Sequence, residues 1–170
     1  MIRLRIAVVL LALAATAACT SGDTQGKDAP LETKKRADVE AQARQQADAM
    51  AALMGGTVAE WEVNTKPCLG QGGETADDAR WSMSAFGVVK LPEDKHLQAL
   101  KAVHDTGTSQ NWEITEYRTL SDGRTGVFAA RDPQSRFSIS LASSKPAIQI
   151  VVTLGSPCFQ PAPGEDPANG

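Results

Sequence analysis

The stretch of sequence that decides the fold is RFSISLASSKPAIQIVVTL, residues 136–154. Apolar residues recur at every second position on both sides of a Ser-Ser-Lys-Pro break at 143–146. The alternating positions are Phe137, Ile139 and Leu141, followed by Ile148, Ile150, Val152 and Leu154. A period of two is typical of strands that bury one face. The stretch therefore predicts two antiparallel strands of a half-buried sheet.

Four further strands are predicted upstream of this stretch. Residues 112–120 and 125–131 flank the turn 121–124, whose Gly123 tolerates a positive φ without steric cost. Residues 57–65 and 81–91 also alternate, and Pro67 ends the first of these two runs. Together with residues 136–154 they give about six strands.

Two helices are predicted beside the strands. Residues 34–54 repeat apolar side chains at steps of three and four, and Gly55-Gly56 follows them. Pro92 begins a second helix that ends near Gly107. We predict an α+β domain with one mostly antiparallel sheet of about six strands and two helices covering one face. A two-sheet sandwich is the alternative, although the helical stretches interrupt the strands.

The first 18 residues differ from the rest and are typical of a secretory signal peptide. Arg3 and Arg5 precede an apolar run at 6–14, and small residues follow at 15–18. The run is shorter than the roughly 20 residues that a spanning helix needs. We therefore expect export of the chain.

Cys19 follows these small residues directly. The sequence Thr16-Ala17-Ala18-Cys19 resembles the end of a bacterial lipoprotein signal, where the cysteine is lipidated and becomes the first residue. Cleavage after Ala17 is the alternative, and it would leave Cys19 as a free thiol. Since the chain has three cysteines, lipidation of Cys19 leaves an even pair. The resemblance implies anchoring to the outer face of the cell membrane.

The remaining cysteines, Cys68 and Cys158, are predicted to form a disulfide, because exported domains favour structural bridges over reactive thiols. Each follows the end of a predicted strand, and the simplest geometry makes those two strands parallel neighbours. The domain organisation expected is a signal peptide at 1–18, a flexible tether at 19–33, one domain at 34–158 and a disordered tail at 159–170.

The charge of the chain disfavours some partners. Removing Arg3 and Arg5 with the signal leaves 15 basic against 20 acidic residues, a net charge of −5. No basic patch stands out, so we expect no nucleic-acid partner and no binding to anionic lipid surfaces. The partners expected are the membrane, through the lipid at Cys19, and an envelope protein or peptide.

No sequence motif assigns a catalytic site, a cofactor or a metal. His96 and His104 lie eight residues apart on one predicted helix, about 12 Å along its axis, and cannot share a metal ion. The glycines at 70–73 lack the ending of a phosphate-binding loop. Trp61, Trp81 and Trp112 could form a sugar-binding platform, but such residues are more often core.

The whole pattern resembles small lipoproteins of actinobacteria, a group that brings no catalytic residues with it. The marks are Cys19, Pro67-Cys68, Trp112 and Pro157-Cys158. We expect a non-enzymatic envelope lipoprotein that binds a partner. The alternative is a small extracytoplasmic hydrolase or ligand-processing enzyme. Its first candidate residues are His96, His104 and the acidic loop 74–78.

Overall fold

The computed structural model describes residues 31–69, 73–76 and 78–168. Strand β1 (Thr33–Lys34) leads into helix α1 (Arg36–Met54) and strands β2 (Val58–Pro67) and β3 (Trp81–Lys90). A 3-10 turn (Glu93–Lys95) opens helix α2 (His96–Ser109). Five strands follow: β4 (Glu113–Thr119), β5 (Gly126–Arg131), β6 (Ser138–Ser143), β7 (Gln149–Gly155) and β8 (Gln160–Pro161).

Six of these strands form one antiparallel sheet in the order β2-β3-β7-β6-β5-β4. Consecutive strands pair as hairpins at β2–β3, β4–β5, β5–β6 and β6–β7. The β3–β7 pairing joins the two halves of the sheet. The predicted α+β class, with six antiparallel strands and two helices, is confirmed.

The core lies between the helices and one face of the sheet. The predicted apolar stripe of α1 is buried throughout, and Phe137, Ile139 and Leu141 of the deciding stretch are at most 2% exposed. Ile148 departs from the prediction, because it precedes β7 and is 60% exposed. Ile148 continues the period-two pattern, but it lies in the turn before β7, where no helix covers it. Within the described residues, no helix has the length and apolarity needed to cross a membrane.

The predicted disulfide between Cys68 and Cys158 is present, with Cα atoms 6.2 Å apart. The prediction that it joins neighbouring strands is wrong, because β3 lies between β2 and β7. Both outer strands pair antiparallel with β3 and are therefore parallel to each other. The bridge forms beside the start of β3, where Trp81 pairs with Pro67 on one side and Phe159 on the other.

The described fold continues beyond the predicted domain boundaries at both ends. Phe159 is 2% exposed and packs against Trp81 with ring centroids 5.7 Å apart. Strand β8 pairs in parallel with β1, which places Thr33, the last residue of the predicted tether, opposite Gln160. The prolines after Cys158 suggested disorder, but one aromatic side chain supplies enough burial to dock the segment. The ordered domain extends through Ala168.

Helix α2 continues two residues beyond its predicted end at Gly107. Gly107 is buried inside the helix, and a Cβ atom at this position would lie 2.7 Å from Cε3 of Trp112. The glycine therefore serves the close approach of an indole ring rather than the end of the helix.

Candidate functional site

A groove of about 390 Å³ lies between α1, the end of α2 and the turn between β5 and β6. Glutamine side chains dominate its walls, and we name it the glutamine groove. They are Gln42, Gln45 and Gln46 on α1, Gln110 after α2, and Gln134 in the turn. Positions 42, 45 and 46 share one face of α1 because residues three and four apart are neighbours on a helix surface. This face adjoins the buried stripe, so the groove runs along the edge of the core.

The β5–β6 turn is shaped by Asp132. Its carboxylate accepts hydrogen bonds from the backbone N–H of Gln134 (2.9 Å) and from the hydroxyl of Ser135 (2.6 Å). The Asp132 backbone N–H donates to the carbonyl of Phe137 at 3.0 Å. A side chain that bonds the backbone two residues on is the usual way in which aspartate fixes a turn. These bonds place Gln134 and Ser135 in the groove wall.

Gln46 connects α1 to this turn, but its hydrogen bonding is incomplete. Its Nε2 donates to Oδ2 of Asp132 over a long 3.3 Å. Its Oε1 is buried and has no hydrogen-bond partner among the described residues. An unpaired buried acceptor costs roughly 1–3 kcal/mol, and its presence in a folded protein calls for an explanation. Because Oε1 is buried, a ligand in the groove would reach it only if the Gln46 side chain turned.

Trp112 lines the glutamine groove. Its backbone N–H donates to the carbonyl of Gly107 at 2.8 Å, and its ring packs directly on that glycine. The indole is partly buried against the core and partly available to the groove. Met50 at the base and Leu53 at the rim add apolar surface. The groove thus combines a few apolar side chains with mostly neutral polar walls.

His96 is buried in the protein interior. Its side chain is 0% exposed, and its Nε2 lies 3.1 Å from the carbonyl oxygen of Leu91. The other ring nitrogen, Nδ1, has no partner among the described residues. This histidine belongs to the core at the start of α2.

His104 lies on the surface of the same helix. Its ring stacks on Tyr117 of β4 with centroids 4.2 Å apart, and its Nδ1 lies 3.3 Å from Oδ1 of Asp105. Asp105 is exposed and bonds Nζ of Lys101 at 2.5 Å. That bond, and to a lesser extent the contact with His104, lowers the pKa of Asp105. The carboxylate serves a solvated ion pair along the helix.

The acidic loop is placed at the opposite end of β3 from His96. Asp78 bonds Arg80 (Nε–Oδ1 2.6 Å) and accepts from Nε2 of Gln160 at 2.9 Å. The side chain of Glu74 is exposed, while Asp77 and the glycine-rich residues 70–72 lie outside the described residues. So does Cys19, the predicted lipidation site.

The three tryptophans contribute to the core. This role was the prediction favoured over a shared sugar-binding platform. Trp81 is 0% exposed, while Trp61 and Trp112 pack partly buried against the same core. Arg44 of α1 lies over the ring of Trp61 at 5.6 Å. Only Trp112 among them lines the glutamine groove.

A second hollow, of about 570 Å³, lies on the sheet face away from the helices. Small polar residues of adjacent strands line it, including Ser84, Ser138, Ser140 and Thr153. An antiparallel sheet with one buried face presents this kind of surface to solvent. Strand alternation therefore accounts for the hollow without a ligand.

The sequence analysis did not single out the glutamine groove. The signal available was the trio at 42, 45 and 46 on the face beside the apolar stripe. Joining it to Gln110, Trp112 and Gln134 requires the packing of α1 against α2, which a period along one helix does not reveal. Among the described residues, no three histidine, cysteine or acidic side chains are grouped as metal ligands.

No protein-family model matches this chain, and the searches of curated proteins and of solved structures also gave no significant match.

Proposed function

We propose that this protein is a lipid-anchored binding module of the cell envelope, and that the glutamine groove is its binding site. The observation that carries the proposal is the groove itself, with its mostly neutral polar walls, its few apolar side chains and the unpaired buried oxygen of Gln46. The anchor at Cys19 and the extracytoplasmic location rest on the signal sequence.

The groups around the groove are suited to binding rather than to chemistry. Asp132, the one acidic residue of its described lining, already accepts bonds from Gln134, Ser135 and Gln46. Amide side chains donate and accept hydrogen bonds but do not ionise near neutral pH. A general acid or base needs a titratable group within reach of the reacting atom. The groove therefore supports recognition of an uncharged polar ligand.

The residues named for a hydrolase are far apart. His96 contacts Leu91 just after β3, whereas Asp78 lies just before β3 begins. The ten residues of β3 span roughly 30 Å at the usual rise of a strand. His104 contacts β4, at the edge of the sheet farthest from β2. This separation favours the binding module over the enzyme.

The binding proposal is tested by blocking the groove. Ala49 is exposed on α1 and lines the groove, so Ala49→Trp should fill it without disturbing the core. All proteins in this comparison also carry Cys19→Ala, so that a lipid anchor does not contribute to binding. We expect the Ala49→Trp variant to bind isolated cell-envelope material at least about tenfold more weakly than the otherwise unchanged protein, a loss of about 1.4 kcal/mol. The measurement is a sedimentation binding curve with labelled protein.

The matched control is Ala41→Trp, which adds the same side chain to the same helix at an exposed position outside the groove lining. It should bind as the unchanged protein does. Equal binding by the Ala49→Trp and unchanged proteins, or no binding by the unchanged protein, would refute the groove as the binding site.

A further inference from the structure

The polar atoms of the glutamine groove are largely unused within the protein. Each glutamine offers one carbonyl acceptor and two N–H donors. Of the five, Gln46 alone uses its side-chain amide in a hydrogen bond within the described part of the chain. The groove wall therefore presents donors and acceptors side by side in uncharged form. Hydroxyl groups, which also donate and accept, are their natural complement.

The charges around the groove also favour an uncharged ligand. The described lining contains the carboxylate of Asp132 and no lysine or arginine. An anionic ligand would meet this carboxylate without a compensating cation. A cation would meet a carboxylate whose oxygens already serve Gln134, Ser135 and Gln46. Both considerations point to a neutral ligand.

Trp112 adds the second part of the recognition chemistry. Its indole lies against Gly107, and the side chain also lines the groove. An aromatic ring placed in this way offers a flat apolar surface beside hydrogen-bonding groups. A pyranose ring has the complementary design, with apolar C–H faces and hydroxyls around its rim.

The walls of the groove do not suit the usual modes of peptide binding. A peptide that adds a strand needs an open sheet edge, and the edge strands here are β2 and β4, whereas α1 forms the long wall of the groove. A peptide helix needs a broad apolar groove. Apart from Ala49, the only apolar side chains of the described groove lining are Met50, Leu53 and Trp112.

We infer that the ligand of the glutamine groove is a neutral oligosaccharide or a neutral segment of an envelope polysaccharide, stacked on Trp112 and hydrogen-bonded by the glutamines. The inference rests on the proposed binding function of the same groove. The volume of about 390 Å³ falls within the range of small-ligand pockets, so a short oligosaccharide is the size expected. Gln46 would turn its unpaired Oε1 toward a sugar hydroxyl, giving up its long bond to Asp132.

The test is a calorimetric titration of the full chain with neutral oligosaccharides of two to six units. One set carries acetamido groups and the other carries hydroxyls only, while uncharged peptides of similar mass form the comparison arm. We expect at least one saccharide series to bind, with a shift in tryptophan emission, and the peptides not to bind. The two series show whether the amides recognise acetamido groups or hydroxyls.

Two variants separate direct recognition from folding. Gln42→Leu with Gln45→Leu removes exposed amides from the wall and should weaken saccharide binding about threefold to tenfold, the usual worth of one or two neutral hydrogen bonds. Gln98→Leu makes the same change at an exposed position of α2 outside the groove lining and should leave affinity unchanged. Circular dichroism should be the same for all of these proteins.

The outcomes distinguish the ligand class from the proposed function. If peptides bind and Ala49→Trp blocks them, or if Ala49→Trp blocks envelope binding that no oligosaccharide can compete for, the saccharide inference is overturned and the binding function stands. If saccharides bind equally well to the Ala49→Trp protein, the groove is not the site and both fail.

Discussion

At the scale of single residues, Asp78 joins the segment before β3 to β8, which is distant in sequence. It bonds Arg80 beside the start of β3 and Gln160 in β8, while the bridge between Cys68 and Cys158 lies at the same end of the sheet. The hydrogen bond from Arg80, with a smaller contribution from Gln160, holds the pKa of Asp78 at about 2 rather than 3.8. The ionised carboxylate is therefore the form that the folded protein favours.

Asp78 should make the folded protein sensitive to acid. Because its pKa is lower in the folded chain than in the unfolded chain, its contribution is fully present above about pH 4 and is lost as the pH falls towards 2. The side chain is 39% exposed, so solvent screening keeps the contribution modest. Asp78→Asn should lower stability at pH 7 and flatten the dependence of stability on pH between 4 and 2. Urea unfolding at a series of pH values measures this.

The control for Asp78 is Asp94→Asn, which changes a carboxylate whose side chain is 71% exposed. Its pH profile between 4 and 2 should follow that of the unchanged protein. An Asp78→Asn profile identical to that of the unchanged protein would show that the bonds to Arg80 and Gln160 do not stabilise the folded state.

The sequence did not identify the residues of the candidate site. His96 and His104 were candidates because histidine is the residue most often used in catalysis, yet burial and ring stacking account for their placement here. Gln46 differs from the neighbouring glutamines by its hydrogen bond to Asp132, a residue 86 positions away in the sequence.

At the scale of elements, both edge strands of the six-stranded sheet have features that disfavour pairing with other chains. Strand β2 has an irregular register between Ala59 and Glu62, and β4 has one between Ile114 and Glu116. Charged residues occupy solvent-facing positions on both, including Glu62 on β2 and Glu113 on β4. Bulges and edge charges are the usual means of blocking edge-to-edge association.

Residues 159–168 are part of the folded domain, and the loss of their contacts should lower the free energy of unfolding. Phe159 packs on Trp81, and Glu165 accepts the backbone N–H of Arg36 at 3.0 Å, which caps the start of α1. A carboxylate at the N-terminal end of a helix also interacts favourably with the helix dipole. We expect Phe159→Ala to lower the free energy of unfolding by about 3–5 kcal/mol, the usual cost of removing a buried phenyl group. Chemical denaturation measures it.

A matched alanine substitution in the same segment is Pro163→Ala, at an exposed position. It should change the free energy of unfolding by less than about 0.5 kcal/mol. If Phe159→Ala were as mild as Pro163→Ala, the segment would be a dispensable tail of the kind that its prolines suggested.

At the scale of the whole molecule, local periodicity was enough to predict the class of fold but not its topology. Alternation along residues 136–154 placed Phe137, Ile139 and Leu141 in the core, because strand geometry leaves a half-buried strand few other choices. The position of β3 between β2 and β7 depends on pairing between residues that are 59 to 71 positions apart. Cysteine parity found the disulfide, but the strands that it flanks are separated by one strand.

The proposed lipid anchor at Cys19 rests on local sequence alone. Residues 20–30 lie between Cys19 and the described domain, and a flexible chain of this length has a typical span of about 20 Å. Two acyl chains at Cys19 would suffice for stable anchoring, where one would be marginal. We therefore expect Cys19→Ala to move the protein from the membrane fraction to the medium, which cell fractionation and immunoblotting measure. Cys19→Ser removes the same thiol with a smaller change in polarity and should be released equally. Retention of both variants on the membrane would mean that the protein is held there by something other than a lipid at Cys19.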